Sequence, residues 1–241
     1  MSDLNQNKIA LVTGGAIRIG RAMALHLADK GFNIALLYHH SGTAGEETIE
    51  EARSYGIKCK GYMGDLRVLE ETELIIEKII KDFDDVELLV NSAANFIQEN
   101  VEQTQLKTLV DTLSLNLMSP YLLMSEYKRK INKGLIVNIL DERVAKTLPT
   151  FAAYSVSKVG LKHLTELAAV EWGKSVRVNG IAPGLILPPQ GGPSDYLEKA
   201  KKNVPMGTHG SLMDITKALN YLMENTFVNG ETLFVDGGGS L

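Results

Sequence analysis

Short runs of consecutive apolar residues, many of them β-branched, alternate with longer helix-patterned stretches along the whole of this chain. Residues 9–12 read as a buried strand and 21–30 as a helix closed by Gly31. Strand 33–38, helix 44–55 and strand 58–63 follow, then a helical stretch at 69–83 and a strand at 87–90. Beyond lie a mostly helical 106–127, strand 135–140, a long helix at 152–172, strand 176–181, helix 211–224 and strand 232–235. Strands that are apolar at every position are covered on both faces, and the helices between them provide the crossovers that parallel pairing needs. The pattern predicts an α/β fold with about seven parallel strands in a doubly wound sheet and helices on both faces. Such a sheet takes ligands outside the carboxyl ends of its strands, where strand order reverses.

With 241 residues, no linker and no repeat, the chain reads as one domain, 1–241. Its first part, to about residue 95, is assigned to a cofactor and the remainder, from about 96, to catalysis and substrate. A formal net charge of −4 leaves no basic surplus for a nucleic-acid backbone. No apolar stretch reaches the ~18 residues of a spanning helix, so no membrane partner is expected. Residues 1–8 are polar and lack the apolar core of an export signal. The single cysteine, Cys59, has no partner for an internal disulfide, which fits a cytoplasmic protein. No His/Cys/Asp cluster has metal-ligand spacing, so no metal is expected.

Between the first strand and the first helix stands TGGAIRIG, 13–20. Gly14 and Gly15 allow a tight turn, Gly20 lets the helix pack closely, and the helix N-terminus offers N–H groups to a pyrophosphate. The strand–loop–helix context makes this a Rossmann-type signature, with Arg18 and Ile19 in the loop, rather than a merely structural turn. The second strand ends in Tyr38-His39-His40-Ser41, with no acid before Glu46. A carboxylate there would favour the ribose hydroxyl of NAD and repel a 2′-phosphate, whereas Arg18, His39, His40 and Ser41 are donors to it. The expectation is NADP(H), the other reading being that the histidines are simply exposed in a loop. Asp65, followed by Leu66, accepts from an adenine amino group, caps the next helix, or does both. Asn91-Ser92-Ala93-Ala94 lets a flat cofactor approach the backbone, or forms a plain turn.

After strand 135–140 comes Asp141, and thirteen residues later Tyr154, with Lys158 four further on. Positions i and i+4 share a helix face, so the ammonium is expected beside the phenol, lowering its pKa toward the range of a general acid. Lys158 is also placed to donate to a nicotinamide ribose. Asp141 is read as part of this chemistry, the plainer alternative being a cap or loop acid.

With these residues in view, the chain resembles the short-chain dehydrogenase/reductase family over essentially its whole length. The resemblance places the family's Tyr and Lys on Tyr154 and Lys158, and its proton-relay Asn on Asn116. It puts the segment flanking the nicotinamide on Pro183-Gly184, the closing strand on Val235-Asp236-Gly237-Gly238, and implies a homotetramer. The departures from the family pattern are Arg18 at the middle loop glycine, Ser92 and Ala94 in the usual Asn-Asn-Ala-Gly, and Asp141 for the catalytic Ser. These are shared with the branch of pteridine reductases and bacterial dihydromonapterin reductases. There an aromatic corresponding to Phe96 stacks on the pterin; read without the resemblance, Phe96 is as readily a core or lid residue. Leu185-Ile186-Leu187 replaces the threonine often found past Pro-Gly, which puts Leu185 beside the substrate.

In a ketone reductase the Ser donates to an oxygen that becomes alkoxide-like, a charge that an ionised Asp141 would repel. A carboxyl suits a nitrogen heterocycle, accepting from its N–H groups and helping to deliver a proton to ring nitrogen. The expected activity is therefore NADPH-dependent reduction of a dihydropterin of the dihydromonapterin, dihydrobiopterin or dihydrofolate class. Asp141, Tyr154, Lys158 and Asn116 would be catalytic, with Phe96, Asp141, Tyr154 and Leu185 on the substrate. The alternatives are a generic ketoreductase, such as one acting on 3-oxoacyl carrier protein, and a non-catalytic NADP(H)-binding regulator.

Overall fold

In the computed structural model, which describes residues 8–40, 42–83 and 86–241, every apolar run becomes a parallel strand. These are β1 (Ile9–Thr13), β2 (Asn33–Tyr38), β3 (Cys59–Met63), β4 (Val86–Asn91), β5 (Gly134–Ile139), β6 (Val176–Pro183) and β7 (Thr232–Val235). They lie in the order β3-β2-β1-β4-β5-β6-β7 in one sheet. The helices are α1 (Arg18–Asp29), α2 (Gly42–Ser54), α3 (Leu69–Asp82), α4 (Leu106–Leu113), α5 (Ser119–Lys130), α6 (Ala152–Trp172), α7 (Tyr196–Ala200) and α8 (Leu212–Glu224).

Successive strand residues point to opposite faces, and the core divides accordingly. Ala10, Val12, Ile34 and Leu36 pack with Met23 and Leu27 of α1 and Leu219 of α8. Ile9, Leu11, Ala35 and Leu37 pack with Ile76 of α3, Leu123 of α5 and Ala168 of α6. Both faces are dry, which is why the strands carry no polar alternation. β3 departs from this because it is an edge strand: Lys60 and Met63 are exposed.

Strand order reverses between β1 and β4, so the segments leaving those two strands diverge and open a crevice. The first of them departs from expectation in its length, since α1 begins at Arg18 rather than 21. Residues 106–127 also do not form one helix: Ser114–Met118 makes a π-helical turn between α4 and α5, and Asn116 in that turn is wholly buried. β6 runs two residues past its expected end, to Pro183.

The glycine loop is fixed by contact distances. Gly14 has φ +64°, and a Cβ there would lie 2.8 Å from the Cα of Ala93. A Cβ on Gly20 would lie 2.2 Å from the carbonyl oxygen of Gly14, so this glycine admits the loop itself against the helix rather than the helix against the sheet. Alanine would improve helix propensity by about 1 kcal/mol, but backbone has no rotamer with which to step aside. Gly20→Ala is therefore expected to lower stability by about 1–3 kcal/mol net, read as a drop in the urea midpoint at unchanged slope; an unchanged midpoint would mean the loop yields.

Candidate active site

The carboxyl ends of the central strands open on a cleft of about 650 Å³. Thr13, the last residue of β1, accepts through its hydroxyl from the N–H groups of Ser92 (3.0 Å) and Ala93 (3.1 Å), which follow β4. That clamp fixes the floor of the crevice. Gly14, Arg18, Ile19 and Gly20 line it from one side and Ser92 and Ala93 from the other. The αL conformation of Gly14 and the N-terminus of α1 give the shape and the donors that a pyrophosphate requires.

Arg18 itself has φ +55°, a left-handed backbone that costs a non-glycine residue roughly 1 kcal/mol. Its Nη2 donates to the carbonyl oxygen of Pro188 at 2.8 Å, joining the glycine loop to the segment that follows β6. His39 and His40 line the cleft with ring centroids 3.4 Å apart, and His39 Nε2 lies 3.7 Å from Asp65 Oδ2. Ser41 lies outside the described residues. Asp65 lines the cleft beside Leu66 but does not cap α3, whose N-cap is Val68. Its Oδ1 accepts from the backbone N–H of Arg67, and its carboxylate is forked by the same residue's guanidinium at 2.7–3.0 Å. The hydrogen bonds from Arg67 hold its pKa at about 2, so it stays an acceptor throughout the physiological range. Arg67 also lines the cleft; an Arg two residues past the expected adenine carboxylate is the signal that sequence reasoning passed over.

At the other end, Asp141 leaves β5 and Tyr154 rises from the first turn of α6. The Tyr154 hydroxyl donates to Asp141 Oδ2 at 2.8 Å, while Asp141 Oδ1 accepts from the N–H of Arg143 at 2.8 Å. Asp141 thus both caps the short turn Glu142–Ala145 and accepts from the phenol. Burial, then the charge of Asp141 and its hydrogen bond, push the Tyr154 phenol well above 10. This reverses the expected lowering by Lys158. The Lys158 Nζ is turned to the carbonyl oxygen of Ile139 (2.6 Å), 5.7 Å from the Tyr154 ring centroid, and the cation that opposes the rise is Arg143. Burial in turn lowers Lys158 to about 8.

Phe96 stacks on Phe151 (4.0 Å, 13°) and meets Tyr154 edge-on (4.7 Å, 82°). Phe96 is about half exposed and lines the cleft with Leu185, Pro183 and Gly184. Phe151, the residue before α6, has φ +59°. Neither Phe151 nor Arg143 was singled out by the sequence reading, and both stand within thirteen residues of Tyr154.

Two predicted site residues lie behind the cleft instead of in it. Asn116 uses its side chain to hold Asn95, accepting from its N–H (3.0 Å) and donating to its carbonyl (3.1 Å), and donates to Ser157 Oγ (3.2 Å). Its contacts are those of a positioning residue, because every group on that short amide is engaged by the wall of the cleft. Asn91 donates to Asn138 Oδ1 (2.8 Å), and Asn138 donates to Thr165 Oγ1 of α6 (2.8 Å). Both asparagines are buried, tying β4, β5 and α6 together beneath the site.

A family profile described as enoyl-(acyl carrier protein) reductase matches residues 15–240. An uncharacterised oxidoreductase of Thermotoga maritima is 30% identical over 98% of this chain and 98% of its own. The 3-oxoacyl-[acyl-carrier-protein] reductase FabG of Staphylococcus epidermidis is 28% identical over 96% of this chain and 98% of its own. Among solved structures, FolM alternative dihydrofolate reductase 1 of Brucella suis, in complex with NADP, superposes with a TM-score of 0.93 at 28% identity, covering 98% of this chain and 96% of that one.

The buried ammonium makes stability depend on pH. Because Lys158 falls from an ordinary 10.5 to about 8 on folding, the folded chain binds fewer protons than the unfolded one between those values, and stability rises with pH across them. Relative to Lys158→Met, the unmodified protein should gain on the order of 2–3 kcal/mol between pH 8 and pH 10.5 in urea unfolding. A difference that stays flat across this window would show that the ammonium is not desolvated.

Proposed function

The chain belongs to the short-chain dehydrogenase/reductase family, and within it we propose that the protein is an NADPH-dependent reductase of dihydropterins, of the dihydromonapterin, dihydrobiopterin or dihydrofolate class. It is an oxidoreductase that uses NADP(H). Gly14, Ile19 and Gly20 would hold the pyrophosphate, Arg18, His39 and His40 the 2′-phosphate, and Asp65 and Leu66 the adenine. Ser92, Ala93, Lys158, Pro183 and Gly184 would hold the nicotinamide end. Bound there, the cofactor supplies a hydride.

The observation that carries the pterin reading is the 2.8 Å hydrogen bond from buried Tyr154 to Asp141. An acceptor-only carboxylate at the reacting end opposes the growth of an alkoxide and accommodates the N–H groups of a nitrogen heterocycle. Tyr154, with its raised pKa, remains protonated, and its proton is already directed at Asp141. The ring nitrogen left basic as its C=N bond accepts hydride would take the Tyr154 proton, and the phenolate left beside Asp141, strongly basic there, would take one back from solvent. Lys158 fixes the end of β5 through Ile139, and Asn116 fixes the wall through Asn95. The likeness to the Brucella FolM structures supports the same reading.

The FabG relatives favour a ketoreductase acting on a carrier-protein thioester. Docking a carrier protein calls for a basic patch near the cleft, and here Lys199 and Lys201 are paired with Asp195 (2.6 Å) and Glu198 (2.5 Å). A regulator would need the cofactor end alone, yet the Asp141–Tyr154–Lys158 group is intact and ordered by hydrogen bonds. The assembly we infer is a homotetramer, supported by exposed apolar residues on α5 and α6, among them Tyr121, Val159, Leu167 and Val170. Among the described residues no helix is long and apolar enough to cross a membrane, and a buried, unpaired Cys59 is in keeping with work in the cytoplasm.

The deciding measurement is NADPH oxidation with dihydropterin, dihydrofolate, an acetoacetyl thioester and an enoyl thioester. Turnover of a pterin or folate is expected; turnover of thioesters alone would overturn the reading, and no turnover at all would favour a regulator. Tyr154→Phe and Asp141→Ser should each lower pterin turnover roughly 10²-fold or more while NADPH affinity stays nearly constant.

A further inference from the structure

Two Asp-x-Arg segments line the cleft, one after β3 and one after β5, and they behave differently. In each, the carboxylate accepts from the backbone N–H two residues on: Asp65 from Arg67 at 2.9 Å and Asp141 from Arg143 at 2.8 Å. After β3 the guanidinium then folds back and forks its own carboxylate, with Arg67 Nη2 2.7 Å from Asp65 Oδ2. After β5 it does not. Arg143 Nε remains 3.9 Å from Asp141 Oδ1, and the guanidinium carbon lies 4.8 Å from the ring centroid of Phe151 and 5.8 Å from that of Phe96. The same local sequence thus gives two outcomes, and what separates them is an aromatic pair that draws the second guanidinium away from its carboxylate. One consequence is a buried Nη1 of Arg143 with no hydrogen-bond partner among the described residues. That nitrogen is closed off from solvent, while the residue as a whole lines the cleft with its guanidinium not forked by its own carboxylate.

We propose that Arg143, which lines the cleft, is a substrate-binding and specificity-determining residue, whose guanidinium donates to an oxygen of the substrate beside the carboxylate of Asp141. A donor-only group next to an acceptor-only group is complementary to a cyclic lactam edge, in which a ring N–H adjoins a C=O. The inference rests on the dihydropterin reading and assigns the oxo group of the pterin ring to Arg143. Asp141 accepts from the lactam N–H through a lone pair not used by Tyr154 or Arg143, and Phe96 and Phe151 hold the guanidinium in place. Substrates that present an amino group where the oxo group stands set donor against donor at Arg143.

The test compares Arg143→Met with the unmodified enzyme, using a 4-oxo dihydropterin as substrate and a 2,4-diaminopteridine, whose edge is inverted, as inhibitor. Loss of one charge-assisted hydrogen bond should raise the KM of the oxo substrate roughly 10- to 100-fold. The diamino inhibition constant should stay level or fall, and NADPH affinity, which reports a folded cleft, should hold. Should Arg143→Met fail to bind NADPH, Arg143→Lys carries the test: it keeps the charge but loses the planar N–H, and preference for oxo over diamino should fall by a smaller factor. Equal weakening of both ligands, or none, would overturn the role of Arg143 while leaving pterin turnover in place. Absence of pterin turnover in the unmodified enzyme would overturn the functional reading and this inference with it.

Discussion

Helix α6 is bound to the end of β5 at two points one helical turn apart. Tyr154 donates to Asp141 and Lys158 donates to the carbonyl of Ile139. Because i and i+4 lie on one face of the helix, the two bonds reach chain positions only two residues apart, and they fix the helix in both rotation and height. The phenol is thereby buried against a carboxylate, and its acidity follows from that placement rather than from its spacing to a lysine. Under the proposed function the same placement would bear on the substrate, since a negative acceptor at the reacting end opposes a developing alkoxide and suits rings that bring N–H groups.

Most of the fold was legible because burial on both faces leaves a plain mark, a strand with no polar alternation, and because each run is bounded by turn residues. The edge strand β3 was read for the same reason, although Lys60 already disclosed one open face. The π-helical turn at Ser114–Met118 left no such mark: an extra residue inside an apolar helix changes which side chain faces inward without changing composition. At the site, the identities of Asp141, Tyr154 and Lys158 were visible, but spacing conveys neighbourhood and not solvation. That is why the direction of the Tyr154 shift was inverted. Asn116 was placed in the cleft by the family resemblance and Asn91 by its run of small residues, whereas short amides are equally suited to joining backbone segments behind it. Arg143 escaped notice because its local sequence matches that of Arg67, and only the stacking on Phe151 distinguishes them.

Several unfavourable features are gathered around this one cleft. Arg18 and Phe151 are two of the three non-glycine residues with positive φ among the described residues, and they flank it from opposite elements. Lys158 is a desolvated cation, and Arg143 carries a buried donor without a partner among the described residues. Each such feature persists only where the surroundings over-determine it. The surroundings here are the buried network of Asn91, Asn138 and Thr165 and the partly buried clamp of Thr13 on Ser92 and Ala93, which join four elements at the carboxyl ends of the central strands. A polar network at the centre of a largely apolar sheet is in keeping with this position. Apolar packing would supply stability as well, but it has no preferred geometry fine enough to hold a carboxylate, a phenol and two cations in register, whereas paired amides and hydroxyls tolerate only one arrangement.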